Sequence, residues 1–277
     1  MAYEKLGETP LDYQPCRYGA SKLLFRGPRR PLNGRFAAFL GGTETYGKFI
    51  AEPFPELIEA RTGVKCVNLG WPNAGVDVFL QDPDVLAVVS HAQLAVIQVS
   101  AALNISNRYY SVHPRRNDRF VQASPMLRAM FREVDFTEFH FTRHMLRHLR
   151  HVAPDRFGLV RDELQAAWTA RMRMLVNGIN APVVLLWLSS HPAKDVADVP
   201  DIAEDPAFVT RSMLEALRPR VMQIVDVTAS QAALAQGTQR MVFSELEVNA
   251  ASEIMGPAVH EEVAQALSPL IQKTVGA

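Results

Sequence analysis

The sequence predicts an α/β protein in which about five parallel strands lie between two layers of helices, with an added helical insertion. Three observations predict this class. Five strand-sized apolar runs are spread along the chain, helical spacing of apolar residues follows several of them, and 48% of the 277 residues are apolar. Strands that alternate with helices are joined by crossover connections and run parallel to one another.

Each predicted strand is a run of consecutive apolar residues, as expected for strands that are buried on both faces. The strands are predicted at 35–40, 64–69, 94–99, 183–188 and 221–226. Helices are predicted at 46–62, 84–91, 205–217, 229–236 and 258–273. Pro53 and Pro55 indicate that the first helix begins late or is kinked. Together these elements predict a flavodoxin-like three-layer sandwich.

Two parts of the chain do not follow the alternation of strands and helices. Residues 1–34 are rich in Pro, Gly and Arg and are interpreted as an irregular arm on a single domain of residues 35–277. Residues 120–178 contain three helical segments, near 124–133, 137–152 and 155–178. Open α/β sheets bind ligands at the carboxyl ends of their strands. We therefore interpret this insertion as a lid, a wall of the substrate site or a contact in a homodimer.

The composition excludes several classes of protein. The 29 basic and 29 acidic residues balance, which disfavours a nucleic-acid partner because phosphate contacts need a basic excess. Cys16 and Cys66 form no CxxC pair, so neither a disulfide framework nor a cysteine zinc site is predicted. No apolar run reaches the ~18 residues of a membrane span, and the first residues lack an apolar signal core. We expect a cytoplasmic protein, and without a dinucleotide or P-loop glycine motif we expect no cofactor.

Four segments lie where strand ends are expected to meet, and each contains residues suited to chemistry. The first, Gly41-Gly-Thr-Glu-Thr-Tyr46, follows the first strand. The others are Asn68-Leu-Gly-Trp-Pro-Asn-Ala-Gly75, Ala101-Ala-Leu-Asn104 and Gly256-Pro-Ala-Val-His260.

These four blocks, in this order on this fold, resemble those of the SGNH or GDSL-like hydrolase superfamily. The resemblance implies that Thr43 stands in the place of the nucleophilic serine and that His260 is the base. It also implies an oxyanion hole made by the amide of Gly75 or Gly70 and the side chain of Asn104. The blocks cover roughly residues 36–105 and 250–275. The arm and the insertion resemble a bacterial family of SGNH-like proteins with no known reaction.

The chemistry that the resemblance implies is coherent, but three positions differ from the superfamily's pattern. A hydroxyl nucleophile needs an adjacent base, and the oxyanion that it forms needs donors held in place. In this chain threonine replaces serine at position 43, Gly42 replaces an aspartate, and Pro257 replaces the aspartate of the triad. The candidates for the missing acid are Asp226, Glu245 and Glu247, and no spacing rule selects among them.

Residues near the strand ends complete the predicted site. We expect Gly42, Glu44, Arg108 and His191 to contribute to substrate binding. The same patterns also fit structural roles. Thr43 or Thr45 is suited to cap a helix, Glu44 to stand in a solvated first helical turn, Asn104 to cap a turn, and His260 to lie exposed on the first turn of the last helix.

A histidine stripe within the insertion is a separate candidate. His140, His144, His148 and His151 have spacing that places them along one face of a helix. Arg143, Arg147 and Arg150 add positive charge, which repels a metal ion and attracts anions; these three residues stand between the histidines. We therefore expect no metal site, and the stripe is interpreted as an anion-binding or partner surface or as a polar helix face.

The sequence thus predicts ester hydrolysis or acyl transfer on a small-molecule, acyl or carbohydrate substrate. One alternative is a catalytically silent SGNH-like protein that binds a carbohydrate or an acidic metabolite in the same pocket. Another is a transferase in polysaccharide modification, which rests on fold analogy alone.

Overall fold

A computed structural model describes residues 11–195 and 202–276 and contains a five-stranded parallel sheet. Its strands are β1 (Ala37–Gly41), β2 (Cys66–Gly70), β3 (Leu94–Gln98), β6 (Val183–Ser189) and β7 (Gln223–Thr228). They lie in the order β2-β1-β3-β6-β7, and every neighbouring pair is parallel. The predicted three-layer α/β fold is therefore confirmed, and all five predicted strands are present.

Two hydrophobic clusters fill the space on either side of the sheet, because successive side chains of a strand point to opposite faces. In β1, Ala38 and Leu40 belong to one cluster, while Ala37 and Phe39 belong to the other. The first face is covered by α3 (Val76–Leu80), α4 (Pro83–His91) and α7 (Pro154–Asn177). The second face is covered by α2 (Phe54–Thr62), α9 (Gln231–Leu234) and α11 (Pro257–Val275).

The helix predicted at 46–62 begins late, at Phe54, as Pro53 and Pro55 indicated. A four-residue α1 (Thr43–Tyr46) ends at Gly47, whose φ of 74° is left-handed, and α2 begins only after Pro53. The helix predicted at 205–217 shortens to α8 (Arg211–Glu215), and that at 229–236 shortens to α9. The last helix matches its prediction closely, and α10 (Val248–Ser252) precedes it.

The insertion begins with a hairpin that the sequence pattern did not predict. Strands β4 (Tyr110–His113) and β5 (Arg116–Ala123) pair antiparallel, and α5 (Pro125–Met130), α6 (Thr142–Val152) and α7 follow. The departure from alternation therefore begins before residue 120.

The histidine stripe does not lie on one continuous helix. Helix α6 begins at Thr142, so His140 precedes it, while the rings of His144 and His148 lie 5.1 and 5.2 Å from that of Phe139. Within residues 11–195 and 202–276, no group of three or more His, Cys, Asp or Glu is placed to hold a metal ion.

The N-terminal arm packs closely on the sheet domain. Tyr18, Leu23 and Phe25 belong to the larger hydrophobic cluster, and Cys16 pairs with Phe25 in an antiparallel bridge. Arg26 is buried and donates hydrogen bonds to three carbonyls of the segment between α1 and α2. Among the helices of the described ranges, none is both long and apolar enough to cross a membrane.

Candidate functional site

The candidate site lies where β1, β2 and β3 end, at Gly41, Gly70 and Gln98. These strands are neighbours in the sheet, so their carboxyl ends lie side by side. This is the edge at which open α/β sheets bind ligands. The three segments that follow contain Thr43, Asn73 and the Asn104 region.

Gln98 holds the turn that presents Thr43. Its Oε1 accepts hydrogen bonds from the amides of Gly42 and Thr45, both at 3.2 Å, and from the hydroxyl of Thr45 at 2.6 Å. A side chain at Gly41 would place Cβ 2.0 Å from Thr45 Oγ1. The first turn of α1 is therefore held by a side chain from β3. Neither Thr43 nor Thr45 caps the helix, although both were candidates for that role.

Thr43 is bound to Asn73 through two hydrogen bonds. The hydroxyl Oγ1 donates to Asn73 Oδ1 at 3.3 Å and accepts from the Asn73 amide at 3.1 Å. Asn73 has a φ of 56°, a left-handed conformation that asparagine adopts more readily than most residues. An amide oxygen accepts a hydrogen bond but does not take the proton. Thr43 is thus positioned, but Asn73 does not activate it.

Asn104 comes to the same place from the end of β3. Its Nδ2 lies 3.5 Å from the carbonyl oxygen of Asn73, and its Oδ1 accepts the hydroxyl of Thr142 at 2.8 Å. Thr142 begins helix α6 of the insertion. The structure therefore brings the predicted Thr43 and Asn104 together, with Asn73 between them, and fixes Asn104 from the insertion side.

Asp118 on β5 adds a carboxylate to this group. Its Oδ2 lies 3.5 Å from Asn73 Nδ2 and 3.7 Å from an Arg116 nitrogen. Its Oδ1 is buried and has no hydrogen-bond partner among the residues that the structure describes. The carboxylate favours the Asn73 orientation in which Nδ2 faces Asp118 and Oδ1 faces Thr43.

The two glycines proposed as oxyanion donors serve close packing. The amide of Gly75 donates to Asn117 Oδ1 at 3.0 Å, and a Cβ at this position would lie 1.8 Å from the carbonyl oxygen of Asn104. At Gly70 a Cβ would lie 2.3 Å from the Tyr46 nitrogen. Because Asn117 occupies the Gly75 amide, this arrangement does not support Gly75 as an oxyanion donor.

Glu44 is half-buried beside Gln98 rather than solvated. Its Oε2 lies 3.4 Å from Gln98 Nε2. Burial raises the pKa of Glu44, and the negative charge of Asp205 raises it further. A raised carboxyl pKa in a cleft is a common property of functional sites, and it also occurs in purely structural networks.

His260 does not have the environment of a general base. It is buried beneath α2, its Nδ1 accepts the Phe54 amide at 3.1 Å, and its ring lies 5.7 Å from the Phe54 ring. Because Nδ1 accepts, a neutral ring carries its proton on Nε2 and has no second lone pair for the Thr43 proton. Burial, together with the positive charge of Arg26, lowers the pKa of His260 to about 3.

The three candidates for the acid of a triad are also engaged elsewhere or exposed. Asp226 accepts the hydroxyl of Thr228, Glu247 forms a capping box with Ser244, and Glu245 is exposed. None of the three is hydrogen-bonded to His260 in the part of the chain that the structure describes.

Arg108 and His191 have local partners. Arg108 forms an ion pair with Glu163 of α7 at 2.6 Å. His191 Nδ1 lies 2.9 Å from the Pro192 carbonyl oxygen and its ring packs 5.8 Å from that of Trp187. Its Nε2 is buried without a hydrogen-bond partner among the described residues.

A cavity of about 320 Å³ opens beside the Thr43–Asn73 pair. It is lined by Pro15, Leu24, Tyr46, Trp71, Pro72, Asn73 and Arg116. The cavity wall is therefore formed by four segments: the arm, the turn after β1, the segment after β2 and the hairpin. None of the four residues predicted to bind substrate, Gly42, Glu44, Arg108 and His191, lines this cavity.

The segments of this site were predicted more accurately than its residues. Asn73 lies inside the second block but was not singled out, although an asparagine in a Pro-Asn-Ala-Gly turn is a signal for left-handed backbone. Gln98, Asp118 and Thr142 carried no such signal. Their roles arise only when β3, the hairpin and α6 meet.

Comparisons with known proteins give a family and several fold similarities. A family described as "Domain of unknown function (DUF6473)" matches residues 1–275, and no curated protein matches the chain. An acetyl xylan esterase (Est2A) from Butyrivibrio proteoclasticus is 9% identical with a TM-score of 0.42, over 90% of this chain and 66% of that protein. The chain thus spans about two thirds of that protein's length.

Two further solved structures are similar at the same level. An α/β hydrolase, LAE5, from the metagenome of Lake Arreo is 13% identical with a TM-score of 0.41, over 87% of this chain and 95% of the other. A putative lipolytic protein of the G-D-S-L family from Desulfitobacterium hafniense is 12% identical with a TM-score of 0.38. That similarity covers 84% of this chain and 100% of the other. Similarities of this degree transfer no activity to the chain.

Proposed function

The chain belongs to the DUF6473 family, whose description assigns no reaction, and we propose that it binds a small polar ligand at the carboxyl edge of its sheet. The observation that carries this proposal is that the hydroxyl and the imidazole that hydrolysis would use, those of Thr43 and His260, are both engaged in other hydrogen bonds. The Thr43 hydroxyl is held by Asn73, while the ring of His260 is buried and accepts a backbone amide.

The polar groups around Thr43 favour recognition over proton transfer. Asn73 and Asn104 offer amide donors and acceptors, and the hydroxyl of Thr142 lies next to the Asn104 side chain. Hydroxyls and amides fix the orientation of a ligand but do not change protonation state near neutral pH. Asn73, which belongs to this group, lines a cavity of about 320 Å³, a volume within the usual range for ligand pockets.

Ester hydrolysis or acyl transfer through Thr43 is the second candidate. The observation that favours it is the convergence of the Thr43 hydroxyl and the Asn104 amide on Asn73, as the superfamily's blocks imply. This candidate needs a base other than His260 as it lies here. A transferase in polysaccharide modification would also need an acceptor.

A paired measurement separates these candidates. We would follow hydrolysis of p-nitrophenyl esters of increasing chain length by the parent and the Thr43→Ala variant, with Thr43→Ser as the matched control that keeps a hydroxyl. We expect the two variants and the parent to show the same background rate. If the parent and Thr43→Ser hydrolyse the esters and Thr43→Ala does not, with both variants folded, ester hydrolysis would replace ligand binding as the proposed function.

The binding function itself has a direct test. We would screen a library of small acids, amides and sugars for compounds that raise the melting temperature of the parent. A genuine ligand should lose its effect in Asn73→Gly, which removes the side chain while allowing the left-handed backbone. A stabilising compound whose effect is unchanged in this variant binds elsewhere and would contradict the proposed site.

We also make proposals for the location of the protein in the cell and for its oligomeric state. We propose the cytoplasm, supported by the free thiols of Cys16 and Cys66. The homodimer suggested by the insertion stays a prediction, which sedimentation at several protein concentrations tests.

A further inference from the structure

The cavity beside Asn73 has one charged residue among apolar walls. Tyr46, Trp71 and Leu24 supply large apolar surfaces, and Arg116 lines the same cavity. We propose that its ligand is a monocarboxylate with a planar ring, the ring between the apolar walls and the carboxylate on Arg116. This inference rests on the proposed binding function and names its ligand class.

The aromatic walls are held in place before any ligand arrives. The Trp71 indole donates to the Arg115 carbonyl at 2.7 Å, and the Trp71 amide donates to the Gly41 carbonyl at 3.0 Å. The Tyr46 ring lies 5.2 Å from the Tyr13 ring. Aromatic surfaces fixed in this way bind a ring with little loss of side-chain freedom.

Leu24 and Pro15 complete the apolar wall from the N-terminal arm. Leu24 is 41% exposed although its neighbours Leu23 and Phe25 are buried in the core. The bridge between Cys16 and Phe25 holds the two sides of this part of the arm together. The exposed leucine is thus a fixed apolar surface that faces the cavity.

Arg116 has free capacity for an anion. Its contact with Asp118 is 3.7 Å long, beyond the 2.7–2.9 Å of a strong charge-assisted hydrogen bond, and its side chain is 52% exposed. A guanidinium has five N–H donors in a planar fork, which matches a carboxylate in two parallel bonds. Asp118 therefore leaves most of these donors available.

The ligand's second contact is Asn73. This residue lines the cavity and also holds Thr43, so a group bound to its side chain would lie next to the Thr43 hydroxyl. Asp118 Oδ2 lies 3.5 Å from Asn73 Nδ2 and 3.7 Å from an Arg116 nitrogen, so a carboxylate on Arg116 would also lie close to Asn73.

The test compares 3-phenylpropionate with 3-phenylpropionamide, which has the same ring and chain without the charge. By isothermal titration calorimetry of the full chain, we expect the acid to bind about fivefold more tightly than the amide, because only the acid forms charge-assisted bonds. In Arg116→Gln this preference should disappear. In Arg115→Gln, the neighbouring arginine outside the cavity lining, it should remain.

Each other outcome has a defined meaning. Equal affinity for acid and amide in the parent, or an equal loss of preference in Arg115→Gln and Arg116→Gln, would overturn the carboxylate assignment while leaving a binding site at Asn73 intact. Propionate, which lacks the ring, should bind more weakly than 3-phenylpropionate; equal binding would overturn the role of the aromatic walls. Failure of both ring compounds to bind would overturn this ligand class, and the library screen with Asn73→Gly would then decide the binding function separately.

Discussion

Asn73 connects most of the polar groups of the candidate site. Its backbone amide and its Oδ1 both bond Thr43, its carbonyl lies near Asn104, and its Nδ2 lies near Asp118. Its backbone is left-handed, with a φ of 56°. A residue that served only the turn would not need a side chain in contact with two other elements. We therefore regard Asn73, rather than Thr43, as the centre of the site.

Gly75 is required because the Asn104 backbone passes directly over it. A Cβ would lie 1.8 Å from the Asn104 carbonyl oxygen and 3.1 Å from Asn117 Oδ1, which leaves little room to relax. We expect Gly75→Ala to lower the free energy of unfolding by about 3 kcal/mol, measured by urea denaturation.

Gly158 is the matched control for this substitution. It lies within α7 and a Cβ there meets no atom within 4 Å, so Gly158→Ala should raise stability by about 0.5–1 kcal/mol. Equal effects of the two substitutions would show that the Asn104 backbone moves aside readily.

His260 should make stability depend on pH. The folded protein keeps it neutral because its pKa is lowered to about 3, whereas the unfolded chain takes up a proton below its ordinary pKa of about 6.5. Unfolding is therefore favoured as the pH falls. We expect this residue to account for a loss of about 2 kcal/mol between pH 7 and pH 5, measured by urea denaturation at both values.

His260→Gln isolates this effect. Glutamine does not titrate, and its amide oxygen is suited to accept the Phe54 amide in place of Nδ1. Between pH 7 and pH 5 the variant should lose about 2 kcal/mol less free energy of unfolding than the parent, even if its stability is lower at both values. An unchanged pH dependence would mean that His260 is accessible to protons in the folded state, which would reopen its role as a base.

At the scale of elements, the segment between α1 and α2 depends on the N-terminal arm. Arg26 donates to the carbonyls of Gly47, Ile50 and Ala51 at 2.6–2.8 Å and to Glu56 at 3.0 Å. Arg26→Met would leave three carbonyls and one carboxylate without this donor. We expect a loss of about 3 kcal/mol in thermal or urea unfolding.

Arg17→Met is the control for the arm. Arg17 is exposed on the same arm, so its loss should change stability by less than about 0.5 kcal/mol. If both substitutions had equally small effects, the arm would not hold the segment between α1 and α2.

The elements that sequence predicted well are those with a strong periodic signal. The runs around Phe39, Val96 and Leu185 are apolar throughout because both faces of the central strands are buried, and their strands were placed within about two residues. The hairpin of β4 and β5 was missed because its residues alternate irregularly in burial and its register shifts at Val112. Irregular pairing of this kind leaves no period to detect.

The site was predictable as a location but not as a set of contacts. Parallel topology alone brings the segments after β1, β2 and β3 to one edge, and this placed Thr43 and Asn104 in the same region. The state of His260 depends on the Phe54 amide at the start of α2 and on the positive charge of Arg26, two features that are far from it along the chain. Motif order carries no information about such packing.

At the scale of the whole molecule, the two edges of the sheet are unequal. Every residue of β2 is buried, whereas Val227 alone is buried in β7. Lys65, which precedes β2, also donates to the carbonyls of Pro31 and Asn33, so the arm covers the start of that edge. Because fewer residues of β7 are buried, less apolar contact stabilises this edge strand, and its local opening should cost less free energy.

Hydrogen exchange followed by mass spectrometry would measure this difference. We expect peptides from β1, β3 and β6 to exchange most slowly, β2 to follow, and β7 to exchange at least about tenfold faster than β2, which corresponds to a difference of about 1.4 kcal/mol in opening. The comparison should be made at pH 7, where His260 is largely neutral in both states and adds little bias. Slower exchange in β7 than in β2 would mean that the β7 edge is covered by another surface, and a homodimer through that edge would then be the first arrangement to examine.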